Sequence, residues 1–212
     1  MRKFFECVIS EYFEDEYSID FNKEDIFSDF SSTSRDDNNK ISLVESDISC
    51  INFDIVKSFY IKKHNIIYKE KHNLENTNSK FIFLGDYASN DAIKNFDGME
   101  YFIEFKNQGV INKSQVYAKI RDSLLIYLDI MDEKISYTKE NLGYILVYNY
   151  EKSKDKKDPL QQHREFDKIQ TEVMKYSRKK ATKFGLKSNL EGFYFKHVLV
   201  LSSDEFKMKF NL

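Results

Sequence analysis

The chain is predicted to form an α/β protein with a mixed central sheet flanked by helices, and three observations in its 212 residues carry that prediction. A lysine-studded amphipathic run at residues 53–73 reads as a helix. An Asp97-Gly98 pair sits between two apolar, aromatic-rich runs and reads as a two-residue β-hairpin loop. A second helical run at 114–131 leads to LGYILVYNY at 142–150, apolar on both faces as a central buried strand is. With a short strand at 81–84, the core order is helix, strand, strand, strand, helix, strand.

In order, residues 31–40 (SSTSRDDNNK) form an exposed loop, rich in the residues that turns use. The first helix has apolar residues at 55, 56, 59, 60, 66 and 67, with Asn52 or Asp54 as its cap. Residues 76–80 break it before the strand at 81–84 and Gly85. The second helix has apolar residues at 116, 120, 124, 125, 127, 128 and 131 and starts near Asn112 or Ser114. After a Lys/Asp-rich loop at 151–158, Pro159 opens a long charged helix that runs to about Phe184, with Gly185 as its terminator. A last strand covers 193–201, and Ser203 caps a short C-terminal helix.

Hydrophobic residues at 41% and aromatics at 16% are enough for a substantial core, while 32% charged residues point to a soluble chain. The first residues show no secretory leader and no run reaches a membrane span, so a cytoplasmic location is expected. Cys7 and Cys50 have no partner at metal-ligand spacing and read as incidental thiols of a reducing compartment. His64, His72, His163 and His197 show no zinc spacing, and neither a phosphate-binding glycine loop nor a G-x-S-x-G elbow is present. The net charge of −2 hides an asymmetry: residues 1–54 hold five Lys/Arg against fourteen Asp/Glu, and residues 55–212 hold 28 against 21. The chain is accordingly read as an acidic N-terminal segment, 1–52, and a domain at 53–212. The basic body suits a polyphosphate partner, and the acidic segment suits a protein or the body itself.

The hairpin has a chemical consequence. If Asp97-Gly98 is the whole loop, Phe96 faces Met99 and Asp91 faces Glu104. Their Cβ atoms then lie about 4.5–5.5 Å apart. Strand side chains alternate, so Lys106 shares the face of Glu104 while Ile103 and Phe105 point into a core. Facing acids destabilise a sheet unless a cation lies between them. Mg²⁺ takes oxygen ligands and needs only one or two protein carboxylates, and the Phe105 carbonyl is available beside them. Asp97 is a poorer partner, roughly 23 Å along the strand from Glu104 at about 3.3 Å per residue. Asp86 joins only if the preceding strand curls back.

Asp91, twelve intervening residues and Glu104-Phe105-Lys106 resemble the motif of the PD-(D/E)xK nuclease superfamily, and residues 53–150 are similar to its restriction-endonuclease-like αβββαβ core. Asn90 stands where that motif carries proline. The resemblance implies a nuclease that uses Mg²⁺ or Mn²⁺, with Asp91, Glu104 and the Phe105 carbonyl as metal ligands and Lys106 positioning the attacking water. It offers accessory roles to Glu70 or Glu75 on the first helix and to Gln115 and Lys119 on the second. Lys175, Arg178, Lys179, Lys180 and Lys183 are the candidates for contact with a nucleic-acid backbone. Tyr117 and Tyr176 are candidates for base stacking. The implied partners are nucleic acid, DNA before RNA, and a regulatory protein or second copy of the chain. An antiviral defence role in a bacterium is the associated biology. The competing expectation is a non-catalytic interaction module on the same fold, docking through its acidic segment.

Overall fold

The computed structural model describes residues 3–14, 19–36, 40–72, 87–153 and 183–212. Six strands form one open mixed sheet in the order β1 (Phe27–Asp29), β2 (Ser49–Asn52), β3 (Ala92–Phe96), β4 (Met99–Lys106), β5 (Leu142–Tyr148) and β6 (His197–Ser202). Strands β1 to β4 pair antiparallel, and β4, β5 and β6 pair parallel. The expected α/β class with a mixed sheet between helices is thus observed. Among the described residues no helix is long and apolar enough to cross a membrane.

The hairpin register is the expected one, from Phe96 opposite Met99 to Ala92 opposite Ile103. Asp97 and Gly98 both have positive φ, 49° and 79°, the pattern of a type I′ loop whose twist matches the strands it joins. Parallel pairing of β4 with β5 requires a crossover, which α4 (Lys113–Met131) and α5 (Ile135–Asn141) supply. Every residue of β5 is buried, in keeping with its place inside the sheet.

Alternation along the strands divides the core in two. One face carries Ile51, Ile93, Phe102, Tyr144, Leu146 and Val198 and packs against α1 (Phe5–Phe13), α3 (Phe53–Lys71) and α4. The other carries Ala92, Ile103, Phe105, Ile145 and Val147 and packs against α2 (Phe30–Thr33) and the C-terminal helix through Phe30 and Phe206. Asp129 ties three helices together: the Tyr12 and Tyr60 hydroxyls donate to its Oδ2 at 2.8 and 3.0 Å, with His64 Nε2 3.4 Å away. Hydrogen bonding from His64, with that of Tyr12 and Tyr60, holds the Asp129 carboxyl down at about 2.

The described part of the acidic segment, residues 3–14, 19–36 and 40–52, lies within this same architecture. It supplies β1, β2 and α1, and Phe5, Ile9 and Phe13 are fully or almost fully buried. No linker separates it from the rest of the chain, because β2 ends at Asn52 and α3 starts at Phe53. Glu6, Glu11, Glu24, Asp25, Glu45 and Asp47 of this segment are exposed.

Helix α3 is capped by Asn52 and α4 by Asn112, one of the two residues expected at each start, whose side chains accept from backbone N–H groups of the first turn. Several other boundaries differ from expectation. Residues 31–33, expected in a loop, belong to α2, where the Asp29 side chain accepts from Ser32 N. The last strand starts at His197, not at 193, because the chain turns at Gly192 (φ 78°) and leaves Phe193 exposed. Ser202, not Ser203, caps the final helix α8 (Ser203–Phe210), in a capping box with Glu205. Between β5 and β6, α6 is a single turn at Tyr150–Ser153 and α7 spans Leu186–Leu190. The strand expected at 81–84 and most of the helix expected from 159 to 184 lie outside the described residues.

Candidate carboxylate and lysine site

The regular pairing of β3 and β4 ends at Ala92 opposite Ile103, and Asp91 N donates to that same Ile103 carbonyl at 3.1 Å, one residue out of register as in a β-bulge. The carboxylates of Asp91 and Glu104 nevertheless approach each other, on the sheet face packed by α4, because one lysine of that helix contacts both. The Asp91 carboxylate is anchored from below: Phe105 N donates to Oδ2 at 2.6 Å. Glu104 is completely buried, on the same side as Phe102 and under α4. Lys106 is two residues further along, and its Nζ lies 2.6 Å from Glu104 Oε1.

Lys119 of α4 completes the cluster. Its Nζ is 2.8 Å from Asp91 Oδ1, 2.8 Å from Glu104 Oε1 and 3.0 Å from Glu104 Oε2. The helix that carries it is held to the approach to β3. Asn90 N donates to Ser123 Oγ at 2.8 Å, and Ala88 N to Asp122 Oδ2 at 3.0 Å. Two acids and two lysines thus meet beneath α4. Despite the two nearby ammonium groups, no donor is aligned for a hydrogen bond to Glu104 Oε1 among the described residues. The buried Tyr144 hydroxyl and both polar atoms of the buried Asn90 side chain also have no hydrogen-bond partner there.

Burial pushes the Glu104 carboxyl up to about 7, and the charge of Asp91 adds to this against the pull of Lys119 and Lys106. Burial raises Asp91 as well, opposed by Lys119 and the Phe105 N–H. For Lys119 burial acts to lower the ammonium, but Asp91 and Glu104 outweigh it and the group is raised. Burial and the same two carboxylates hold the Tyr144 phenol well above its usual range. Between the ordinary carboxyl value of 4.5 and about 7, folded Glu104 binds more proton than unfolded Glu104. Its contribution to stability is therefore fully present below that window and lost as pH rises through it. Thermal melts of the metal-free protein should show stability falling between about pH 5 and pH 7.5, and Glu104→Gln should flatten that slope. An unchanged slope in the variant would assign it to other groups.

The other sequence candidates fall in several places. Gln115 is exposed in the first turn of α4, one turn from Lys119. Glu70 is exposed near the C-terminal end of α3, roughly 24 Å along the helix from Asp54 at about 1.5 Å per residue. It is the other end of α3 that borders the site, where Phe53 N donates to Asp91 O at 3.2 Å. Asp54, considered from sequence only as a cap, lies there and accepts from Ser89 Oγ, with Lys57 Nζ 2.9 Å away. An acid in the first turn of the helix beside β3 was the available signal. Asp97 sits in the hairpin loop, apart from the cluster. Glu75, Asp86, His163, Lys175, Tyr176, Arg178, Lys179 and Lys180 lie outside the described residues, and Lys183 opens the short turn Lys183–Gly185.

A cavity of about 620 Å³ lies on the flank of α4, lined by Tyr117, Leu125, Leu128, Ile135 and Tyr194 among others. None of the four charged residues lines it. No protein family, curated protein or solved structure was found to match the chain. Fold and site together define a class: an α/β protein with a six-stranded open mixed sheet and a buried carboxylate–lysine cluster under its crossover helix.

Among the described residues no group of three or more His, Cys, Asp or Glu is placed to hold a metal. The donor chemistry still fits a hard divalent cation. Two carboxylates converge within reach of a single cation, a place the Lys119 ammonium takes here, and Mg²⁺ needs only one or two carboxylates from protein.

Proposed function

We propose that the chain is a metal-dependent nuclease that hydrolyses phosphodiester bonds of DNA or RNA, with Asp91, Glu104 and Lys106 at its centre. The observation that supports this most is the convergence of the two acids and two lysines. Lys119 Nζ lies 2.8 Å from both Asp91 Oδ1 and Glu104 Oε1, and the Lys106 ammonium lies 2.6 Å from the Glu104 carboxylate. The arrangement has the PD-(D/E)xK pattern, and a restriction-endonuclease-like core is part of the same proposal.

Asp91 and Glu104, with the Phe105 carbonyl, would hold Mg²⁺ or Mn²⁺. Such a cation polarises a phosphoryl oxygen and makes a bound water easier to ionise. The chain's own groups do the rest. The Phe105 N–H fixes the Asp91 carboxylate, so its direction is set before any ligand arrives. Lys106 orients the attacking water and offsets charge developing on the phosphate. Phe102, Leu146 and α4 exclude solvent around Glu104, which strengthens each of these interactions.

The test is incubation of the purified chain with labelled single- and double-stranded DNA and RNA, in Mg²⁺, in Mn²⁺ and in EDTA. Cleavage of at least one substrate that stops in EDTA is expected. Intact substrates under every condition would count against the proposal.

One observation favours a second reading. The cluster holds two acids and two lysines, with an ammonium already against each acid, so it is compensated without metal. A non-catalytic interaction module would have such a centre, with the solvent-facing acids of residues 1–52 offered to a partner protein or a second copy. That reading expects no divalent binding at Glu104.

A further inference from the structure

We propose that Lys119 is a resident counter-cation: its ammonium bridges the two carboxylates in the metal-free protein and has to be displaced when a divalent cation binds. The inference rests on the nuclease reading of the site and adds to it a built-in competition. Among the described residues Lys119 alone reaches both acids, at 2.8 Å from Asp91 Oδ1 and 2.8 Å from Glu104 Oε1. The Lys106 ammonium is paired with Glu104.

Two facing carboxylates in a sheet repel each other, and burial raises the cost of keeping them charged. A cation between them relieves both problems, so the cluster is stable only with one in place. In the free chain that cation is Lys119. A divalent ion offers the same acids twice the charge, but it gains their oxygens only as Lys119 gives them up. The route out is short, because the side chain is 23% exposed and lysine has a flexible stem. The backbone has no comparable freedom, since Ser123 and Asp122 bind α4 to residues 88–90, one turn along from the contact. The exchange is therefore a side-chain rotation and not a helix displacement.

Linkage has two consequences here. Metal binding to the free chain is weakened by the interaction that Lys119 must give up. A substrate phosphate, which gives the displaced ammonium a new partner, strengthens metal binding by the factor with which metal strengthens phosphate binding.

The test is titration calorimetry of MnCl₂ into the full chain, comparing wild type, Lys119→Met, and each of these with Glu104→Gln. Lys119→Met should bind Mn²⁺ more tightly than wild type, on the order of tenfold. Glu104→Gln should abolish the gain. Lys119→Gln, which keeps hydrogen-bonding capacity without charge, serves if the methionine variant does not fold, and should shift affinity in the same direction. Thermal melts in EDTA should show the Lys119 variants destabilised, with Mn²⁺ restoring the loss. If wild type binds Mn²⁺ through Glu104 and the Lys119 variants bind no more tightly, the counter-cation role is wrong and the metal site stands. If neither wild type nor the Lys119 variants bind Mn²⁺ in a Glu104-dependent way, the metal site itself is wrong and the inference falls with it.

Discussion

Under the proposed nuclease function, Glu104→Gln is expected to reduce metal-dependent phosphodiester cleavage by about 10²–10³-fold, the scale on which a preorganised charge-stabilising group acts in a water-excluded site. The substitution removes one carboxylate charge and almost no volume. Glu104 is fully buried on the central strand β4, so its two oxygens are held by the sheet and by Lys106 and Lys119. A neutral amide there can still accept hydrogen bonds, but it leaves Asp91 as the only carboxylate of the pair to hold a cation. The measurement is cleavage rate against Mg²⁺ concentration, beside circular dichroism spectra of both proteins. A variant with native spectrum and more than about a tenth of wild-type activity would place the chemistry elsewhere. The loss should appear in the rate at saturating metal, because the transition state needs the ligand field and not merely occupancy.

Phe102→Ala should produce the largest loss of stability, about 3–5 kcal/mol, as large-to-small changes at fully buried aromatics do. Phe102 is completely buried between three other parts of the chain. Its ring lies 5.0 Å from Phe53 at the start of α3, 5.5 Å from Tyr127 of α4 and 6.3 Å from Phe195 before β6, edge-on in each case. Edge-to-face pairs add to area burial, and the alanine would open a cavity where α3 and α4 meet the sheet. Urea unfolding monitored by circular dichroism measures the cost. A loss below about 1 kcal/mol would mean that the helices close over the gap. Because Phe102 and Glu104 share a face two residues apart, the variant also tests whether α4 needs this support to bring Lys119 to the acids. If loosened packing draws Lys119 away from the acids while the protein remains folded, Mn²⁺ binding should tighten, as it does in the Lys119 variants.

Much of the candidate site was legible because a hairpin is local. The Asp97-Gly98 loop sets the register from Phe96–Met99 to Ala92–Ile103, and strand alternation then puts Glu104 and Lys106 on one face, with Asp91 just past the last pair. The apolar-on-both-faces run at 142–150 likewise marked β5 as an inner strand, since nothing but burial on two sides explains it. The role of Lys119 was not legible to the same degree. Helical spacing showed that it shares a face with Gln115, but which of the two meets the acids depends on how α4 is rotated and raised above the sheet. Buried Val116, Ile120 and Ser123 set that orientation through contacts with distant residues. For the same reason the sequence offers Glu70 and Glu75 as the acids of the first helix and Asp54 only as a cap, since which end of α3 abuts β3 is a tertiary fact.

The N-terminal strands mark the limit most clearly. Three residues in β1 and four in β2 carry no alternation long enough to read, and the surrounding acids suggested a separate segment. They are strands because β3 presents an edge with unpaired backbone groups and β2 can satisfy it, a gain that exists only once the hairpin has formed. The α/β class, the hairpin and the nearness of Asp91 to the Glu104–Lys106 face could be read from residue order, because each arises from interactions among near neighbours. That the acidic segment joins the sheet, and that Lys119 bridges the carboxylates, emerged only from the assembled fold. Both depend on contacts between residues far apart in the chain, whose formation reflects burial and charge compensation summed over the whole molecule.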